Sequence, residues 1–113
     1  MWRRRKSDDK NKKEVQEVLK YLSDLTSSWY SWLVIILLFK KKGTAHIDDV
    51  REVMMKEGFA PTVLNSIIQD NIIRLRGVVS FDGTILKLTR DTHVIRWLRK
   101  QLPNVSRRLS FPQ

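Results

Sequence analysis

Apolar residues recur along this chain at two different spacings, and the change from one to the other divides it. Val15, Val18, Leu19, Leu22 and Leu25 fall at helical intervals and predict an amphipathic helix over about 12–25. Asn11, with Glu14 three residues on, resembles a capping box at its start. The run Thr26-Ser27-Ser28 then interrupts the pattern, and Ser28 is placed to cap a second helix over about 29–42. That helix is apolar nearly all round. Trp29, Trp32, Leu33, Ile36 and Leu37 make one face, and Tyr30, Val34, Ile35 and Leu38 make another. Both faces need cover, from the preceding helix, from the last helix or from a second copy of the chain. A homodimer is therefore expected, with Trp29, Trp32, Ile36 and Trp97 as core or interface anchors. Lys40, Lys41 and Lys42 suit the negative end of the helix dipole, and Gly43 follows as a left-handed cap.

Thr44–Ile47 is short enough for a first strand, and Asp48 can cap a helix to about Lys56 with Val50, Val53 and Met54 inward. Gly58 ends it, Phe59-Ala60 turn, and Pro61 opens the next helix, where its missing N–H costs nothing. Leu64, Ile67, Ile68 and Ile72 face the core of this helix, and Asn71 is a natural left-handed terminator. From Ile73 the period becomes two. Arg74, Arg76, Val78 and Ser80 alternate with Leu75, Val79 and Phe81, and Asp82-Gly83 signals a tight hairpin. Pairing Phe81 with Thr84 sets Val78 opposite Lys87 and Arg76 opposite Thr89, which predicts Arg74, Arg76 and Lys87 together on the outward face. A last helix from about Arg90 buries Val94, Trp97, Leu98 and Leu102, exposes Arg96, Arg99 and Lys100, and stops at Pro103.

The fold class that follows is α+β, mainly helical. A helix-turn-helix leads into a β-hairpin, with an extra amphipathic helix in front. Residues 12–102 form the folded domain, between a disordered basic arm at 1–11 and a flexible basic tail at 103–113. A chain of 113 residues supports one modest core and leaves no room for a separate catalytic domain.

Charge changes the picture by where it sits. The net charge is +10. Residues 1–13 carry seven basic and two acidic side chains, the stretch 14–102 thirteen and ten, and the last residues add Arg107 and Arg108. Most of the excess thus lies at the two ends, with Arg3, Arg4, Arg5 and Lys6 in the first. Such arms attract polyanions without reading sequence, by releasing counterions from phosphates; they also serve simply to keep a chain soluble.

Several classes find no support. Trp29–Phe39 is apolar over eleven residues, whereas a spanning helix needs about 20, so a buried core helix is the better account and membrane insertion is not expected. Cysteine is absent, which excludes disulfides and thiolate chemistry and suits a reducing cytosol or a hot-growing host. His46 and His93 lie far apart, and no glycine-rich phosphate loop exists among four scattered glycines. No enzyme, cofactor, metal or small-molecule substrate is proposed by these residues, and a cytoplasmic protein (of a host cytoplasm, if viral) is expected.

The segment Leu64-Asn-Ser-Ile-Ile-Gln-Asp-Asn-Ile-Ile-Arg74, the Asp82-Gly83 hairpin and Leu86-Lys-Leu-Thr89 together resemble the winged-helix superfamily. The likeness spans roughly 29–102. It is greatest to small MarR- and PadR-like regulators and to small winged-helix proteins of archaea and their viruses. Asn71-Ile72-Ile73 fills the step that ends a recognition helix, and Leu88-Thr89 the pair that opens the next. The resemblance implies a double-stranded-DNA-binding protein, a small homodimeric transcriptional regulator. It implies that the helix from Pro61 enters the major groove with Thr62, Asn65, Ser66 and Gln69 outward, and that Arg74, Arg76 and Lys87 reach backbone phosphates or the minor groove. This chain departs from the pattern in one respect. The outward face of that helix carries no Lys or Arg, and Asp70 lies beside it. A protein–protein interaction or assembly module without sequence-specific DNA binding is the other expectation.

Overall fold

The computed structural model describes the backbone of residues 2–109 and the side chains of residues 12–108. α1 (Trp2–Ser23) and α2 (Leu25–Lys40) meet at a bend of 110°. Asp24 makes the corner. Its backbone is extended, and its carboxylate accepts from the Thr26 N–H at 3.2 Å and the Ser27 hydroxyl at 3.1 Å. Asp24, not Ser28, therefore caps α2, and the helix starts four residues earlier than the Ser-rich run suggests. Ser28 is buried inside it, its hydroxyl donating to the Asp24 carbonyl at 2.8 Å.

Two boundaries differ from the sequence reading at the ends of the fold. α1 runs back to Trp2, where the charge pattern predicts a disordered arm and a helix from about residue 12. Arg and Lys are good helix formers, and neither Gly nor Pro interrupts the segment, so charge alone does not break it. α5 (Thr92–Leu109) passes through Pro103, the expected stop, into the expected tail. An interior proline costs about 3 kcal/mol. Against that cost, Val105 is only 1 % exposed and lines one depression with Leu22 and Trp32 at the α1–α2 corner.

Between these helices lie β1 (Thr44–His46), α3 (Ile47–Lys56), α4 (Pro61–Arg74), β2 (Val79–Phe81) and β3 (Ile85–Leu88). The strands form one antiparallel sheet in the order β1-β3-β2. The result is a mainly helical α+β fold with a small three-stranded sheet. At the start of α3 the cap is His46, whose Nδ1 accepts from the Asp48 N–H at 3.1 Å, instead of Asp48 itself.

The hairpin forms where Asp82-Gly83 predicts it, but its turn falls one residue later, so each strand residue faces a partner two positions further on. Phe81 pairs with Leu86, Ser80 with Lys87 and Val79 with Leu88. The reason is local. The Asp82 carboxylate accepts from the N–H groups of both Thr84 and Ile85, at 2.9 and 2.8 Å, and the Asp82 N–H donates to the Ile85 carbonyl. Asp82 thus closes the hairpin just beyond β2, and Gly83-Thr84 make the turn, with Gly83 at φ 104°. A second difference precedes the hairpin. Asn71 does not end α4; it stays helical and buried, and the chain turns at Leu75–Val78 instead. Gly77 in that turn has φ 89°, and a Cβ there would come within 3.0 Å of the Val15 side chain on α1.

The core centres on α2. Trp32 is fully buried, donates from its indole N–H to the Leu22 carbonyl at 2.9 Å and stacks on half-buried Trp97 at 6.4 Å. Val34, Ile35, Leu37 and Leu38 are also buried, with Ile36 partly so. α1 and α5, the sheet and α3 pack around α2, so both of its apolar faces are covered within one chain. A second copy is not needed for that purpose, and the sequence argument for a homodimer through Trp32, Ile36 and Trp97 loses its basis. Trp29 alone of these anchors stays 39 % exposed, stacked on Phe59 at 5.5 Å. Among the described residues, no single helix is long and apolar enough to cross a membrane.

Candidate nucleic-acid interface

α4 presents the surface that the sequence singles out. Leu64 and Ile68 are buried and Ile67 and Ile72 half-buried against the core, which turns Thr62, Asn65, Ser66 and Gln69 to solvent. Their spacing of three and four residues sets them along one side of the helix. These four exposed side chains offer amide and hydroxyl groups, able to donate and accept.

The charge around this face differs from what α4 alone suggests. Arg51, exposed on α3, donates from Nη2 to Asn65 Oδ1 at 2.8 Å. A guanidinium therefore stands against the polar row. Sequence reading misses it because it searches one helix at a time; Arg51 lies fourteen positions from Asn65 and arrives through the packing of α3 on α4. The only available signal is that Arg51 lies off the Val50–Met54 apolar face of its own helix.

Asp70, the acid expected to spoil the surface, is already engaged. Its Oδ2 accepts from the Tyr30 hydroxyl at 2.6 Å and from Arg74 Nε at 2.9 Å. The Tyr30 hydrogen bond, reinforced by Arg74, holds the Asp70 carboxyl below its usual range. Burial, then the same bond, pushes the Tyr30 phenol well above its ordinary value. Arg74 is raised in turn, chiefly by its bond to Asp70, and its guanidinium lies 5.3 Å from the Tyr21 ring. Next to this cluster a buried relay crosses from α1 to α4. The Tyr21 hydroxyl lies 3.0 Å from Ser31 Oγ, which donates to Asn71 Oδ1 at 2.5 Å. Asn71 Nδ2 is buried without a partner among the described residues.

The cluster of three hairpin cations does not form. Arg74 is the last residue of α4, and Arg76 sits in the turn before β2. Both line a shallow depression with Ile73 and with Glu14 and Glu17 of α1. The shift in register and the longer α4 separate them from Lys87. Lys87 is exposed on β3, opposite Thr44 on one side and Ser80 on the other. The side chains of Arg3, Arg4, Arg5 and Lys6 lie outside the described residues. No group of three His, Asp or Glu side chains able to hold a metal occurs among the described residues. Set against protein-family models, curated proteins and solved structures, the chain matches none of them.

Proposed function

We propose that the chain is a winged-helix double-stranded-DNA-binding protein, a small transcriptional regulator, in which α3 and α4 form the helix-turn-helix and β2–β3 the wing. The observation that carries the reading is the single polar face of α4, Thr62, Asn65, Ser66 and Gln69, with Arg51 held against it. Asn and Gln can bond bidentately to adenine, Ser and Thr to base edges or phosphates, and an arginine beside them supplies either a guanine contact or a phosphate clamp. The strand order β1-β3-β2, with β1 packed on α3 and β2 on α4, supports the same assignment. Lys87 and the basic ends of the sequence add attraction that does not depend on sequence.

Because α2 is covered within one chain, a single chain suffices to occupy one half-site. Selection of bound duplexes from a random pool tests it. An enriched motif is expected, and a palindromic one would add two-fold symmetry; recovery of no motif from a pool that binds would overturn sequence reading by α4.

A second reading, an interaction or assembly module, draws on the two ends of α4. Val63 is 44 % and Ile73 64 % exposed, two large apolar side chains left in solvent. Substituting both by serine separates the readings: DNA binding keeps its strength if the polar row is the working surface and is irrelevant if a protein docks there.

A further inference from the structure

A group of four cations gathers away from α4. A cleft between the end of α2, the sheet and α5 is lined by Lys42, Lys87, Arg90 and Arg99, with the hydroxyls of Thr44 and Thr89. It holds about 580 Å³, and no carboxylate lines it. No residue of α3 or α4 contributes to it, and of the DNA-facing residues named above it shares only Lys87 of the hairpin. The Arg74–Asp70 ion pair uses none of these four cations.

Four parts of the fold bring the charges together. Lys42 follows α2 in a left-handed conformation, φ 61°, the sole non-glycine residue so placed among those described. Lys87 points outward from the middle strand of the sheet, Arg90 lies in the link before α5, and Arg99 projects from α5 with its guanidinium 5.9 Å from the Phe39 ring. The stacked Phe39 and Arg99 form a wall in which the guanidinium edge is left to a ligand. The backbone at the mouth is spent: the N–H groups of Lys42 and Gly43 donate to the carbonyls of Phe39 and Leu38, at 3.2 and 2.7 Å. An anion must therefore be held by side chains.

Converging like charges repel, and a cleft of one sign focuses potential and concentrates counter-ions. Two arginine forks, two lysine point charges and two hydroxyls are the donor set of a phosphate group, whose oxygens accept from all three kinds. The volume is that of small-molecule sites, roughly 300–1,000 Å³, so the phosphate would come as part of something larger than the free ion. We propose that this cleft is a phosphate-binding site, filled by a phosphorylated small molecule or by a backbone phosphate of a nucleic acid. The proposal does not rest on base reading by α4.

Amide-resolved NMR of the full chain at low salt, titrated with inorganic pyrophosphate, tests it. The amides of Lys42, Gly43, Leu88 and Arg90 should shift saturably. Lys42→Asn with Arg99→Gln, where asparagine tolerates the left-handed backbone, should weaken binding about tenfold or more through two lost charge-assisted contacts. Lys87→Gln, at an exposed strand position, should weaken it on its own and serves should the double variant unfold. A second titration with duplex DNA identifies the source. Cleft amides moving together with those of α4 assign the phosphate to a nucleic-acid backbone; cleft amides moving with pyrophosphate alone assign it to a small molecule. Failure of α4 amides to respond to duplex would sink the DNA reading and leave the cleft standing. Shifts that do not saturate, or that are as large around Lys12, Lys13 and Lys56 as in the cleft, would overturn the cleft proposal.

Discussion

Arg51 of α3 donates to Asn65 of α4 at 2.8 Å, and so a polar row that carries no cation of its own has one held against its centre. The bond uses one lone pair of Asn65 Oδ1 and leaves the other, with the NH₂ group, to a ligand. Arg51→Ala should then have two effects on duplex binding. Affinity should fall on every sequence, with the slope of log K against log salt smaller by about one if the guanidinium meets a phosphate. Preference at the position read by Asn65 should relax as well. Asn65→Ala should change preference only. Binding to a panel of single-base variants, measured at several salt concentrations, separates the two effects.

The hairpin makes a contrasting prediction. Lys87→Ala should weaken binding alike on all sequences, because a lysine on an exposed strand meets backbone and not base edges. Arg76→Ala should do less than Lys87→Ala, since Arg76 shares its surroundings with Glu14 and Glu17. Equal losses for the two would show that the hairpin cations act as the single group that strict alternation predicts.

Ser31 links Tyr21 to Asn71 inside the fold, and its loss leaves a buried amide with no partner at either end. Ser31→Ala should therefore cost about 1–3 kcal/mol of unfolding free energy. Adding Asn71→Leu should recover much of it, because two apolar groups of similar shape replace two unmatched polar ones. Denaturant unfolding of the four proteins of this cycle checks the prediction.

The polar face of α4 was legible in the sequence, and the surroundings that give it charge were not. Helical spacing of Leu64, Ile67, Ile68 and Ile72, with Pro61 at the start, suffices to turn Thr62, Asn65, Ser66 and Gln69 outward. Arg51 and the Tyr30–Asp70–Arg74 cluster depend on contacts between helices, which no local period records. The end of α4 misled for a related reason. Asn71 has the residue type of a helix terminator, yet its bond to Ser31, forty residues away, keeps it helical. The register of the hairpin turned on one side chain, Asp82, whose bonds to Thr84 and Ile85 outweigh the usual preference of Asp-Gly for the turn centre. Pro103 was read by its local cost, while Val105 beyond it carries the compensating burial.

That last point predicts an outcome of its own. Removing residues from 103 onward takes away buried Val105 and should lower stability by roughly 2 kcal/mol or more, where a flexible tail would cost nothing. Thermal unfolding of the shortened chain decides between them.

Asp70 adds a pH dependence. Its pKa is depressed in the folded state from an ordinary 3.8 by the Tyr30 hydroxyl and Arg74. A group depressed in this way contributes stability that is present above its unfolded value and lost as pH falls through the folded one. The stability difference between the wild type and Asp70→Asn should hold above about pH 5 and shrink progressively below about pH 4. A difference that stays constant down to the acid transition would remove the ionised carboxylate from the account.

The claim that duplex DNA is the partner faces its most direct test in one measurement, the equilibrium affinity for duplex DNA as a function of salt. The account predicts binding at low salt that weakens along a straight line in log K against log salt, with a slope of several phosphates' worth of released counterions. No binding at low salt, or an affinity indifferent to salt, would contradict it.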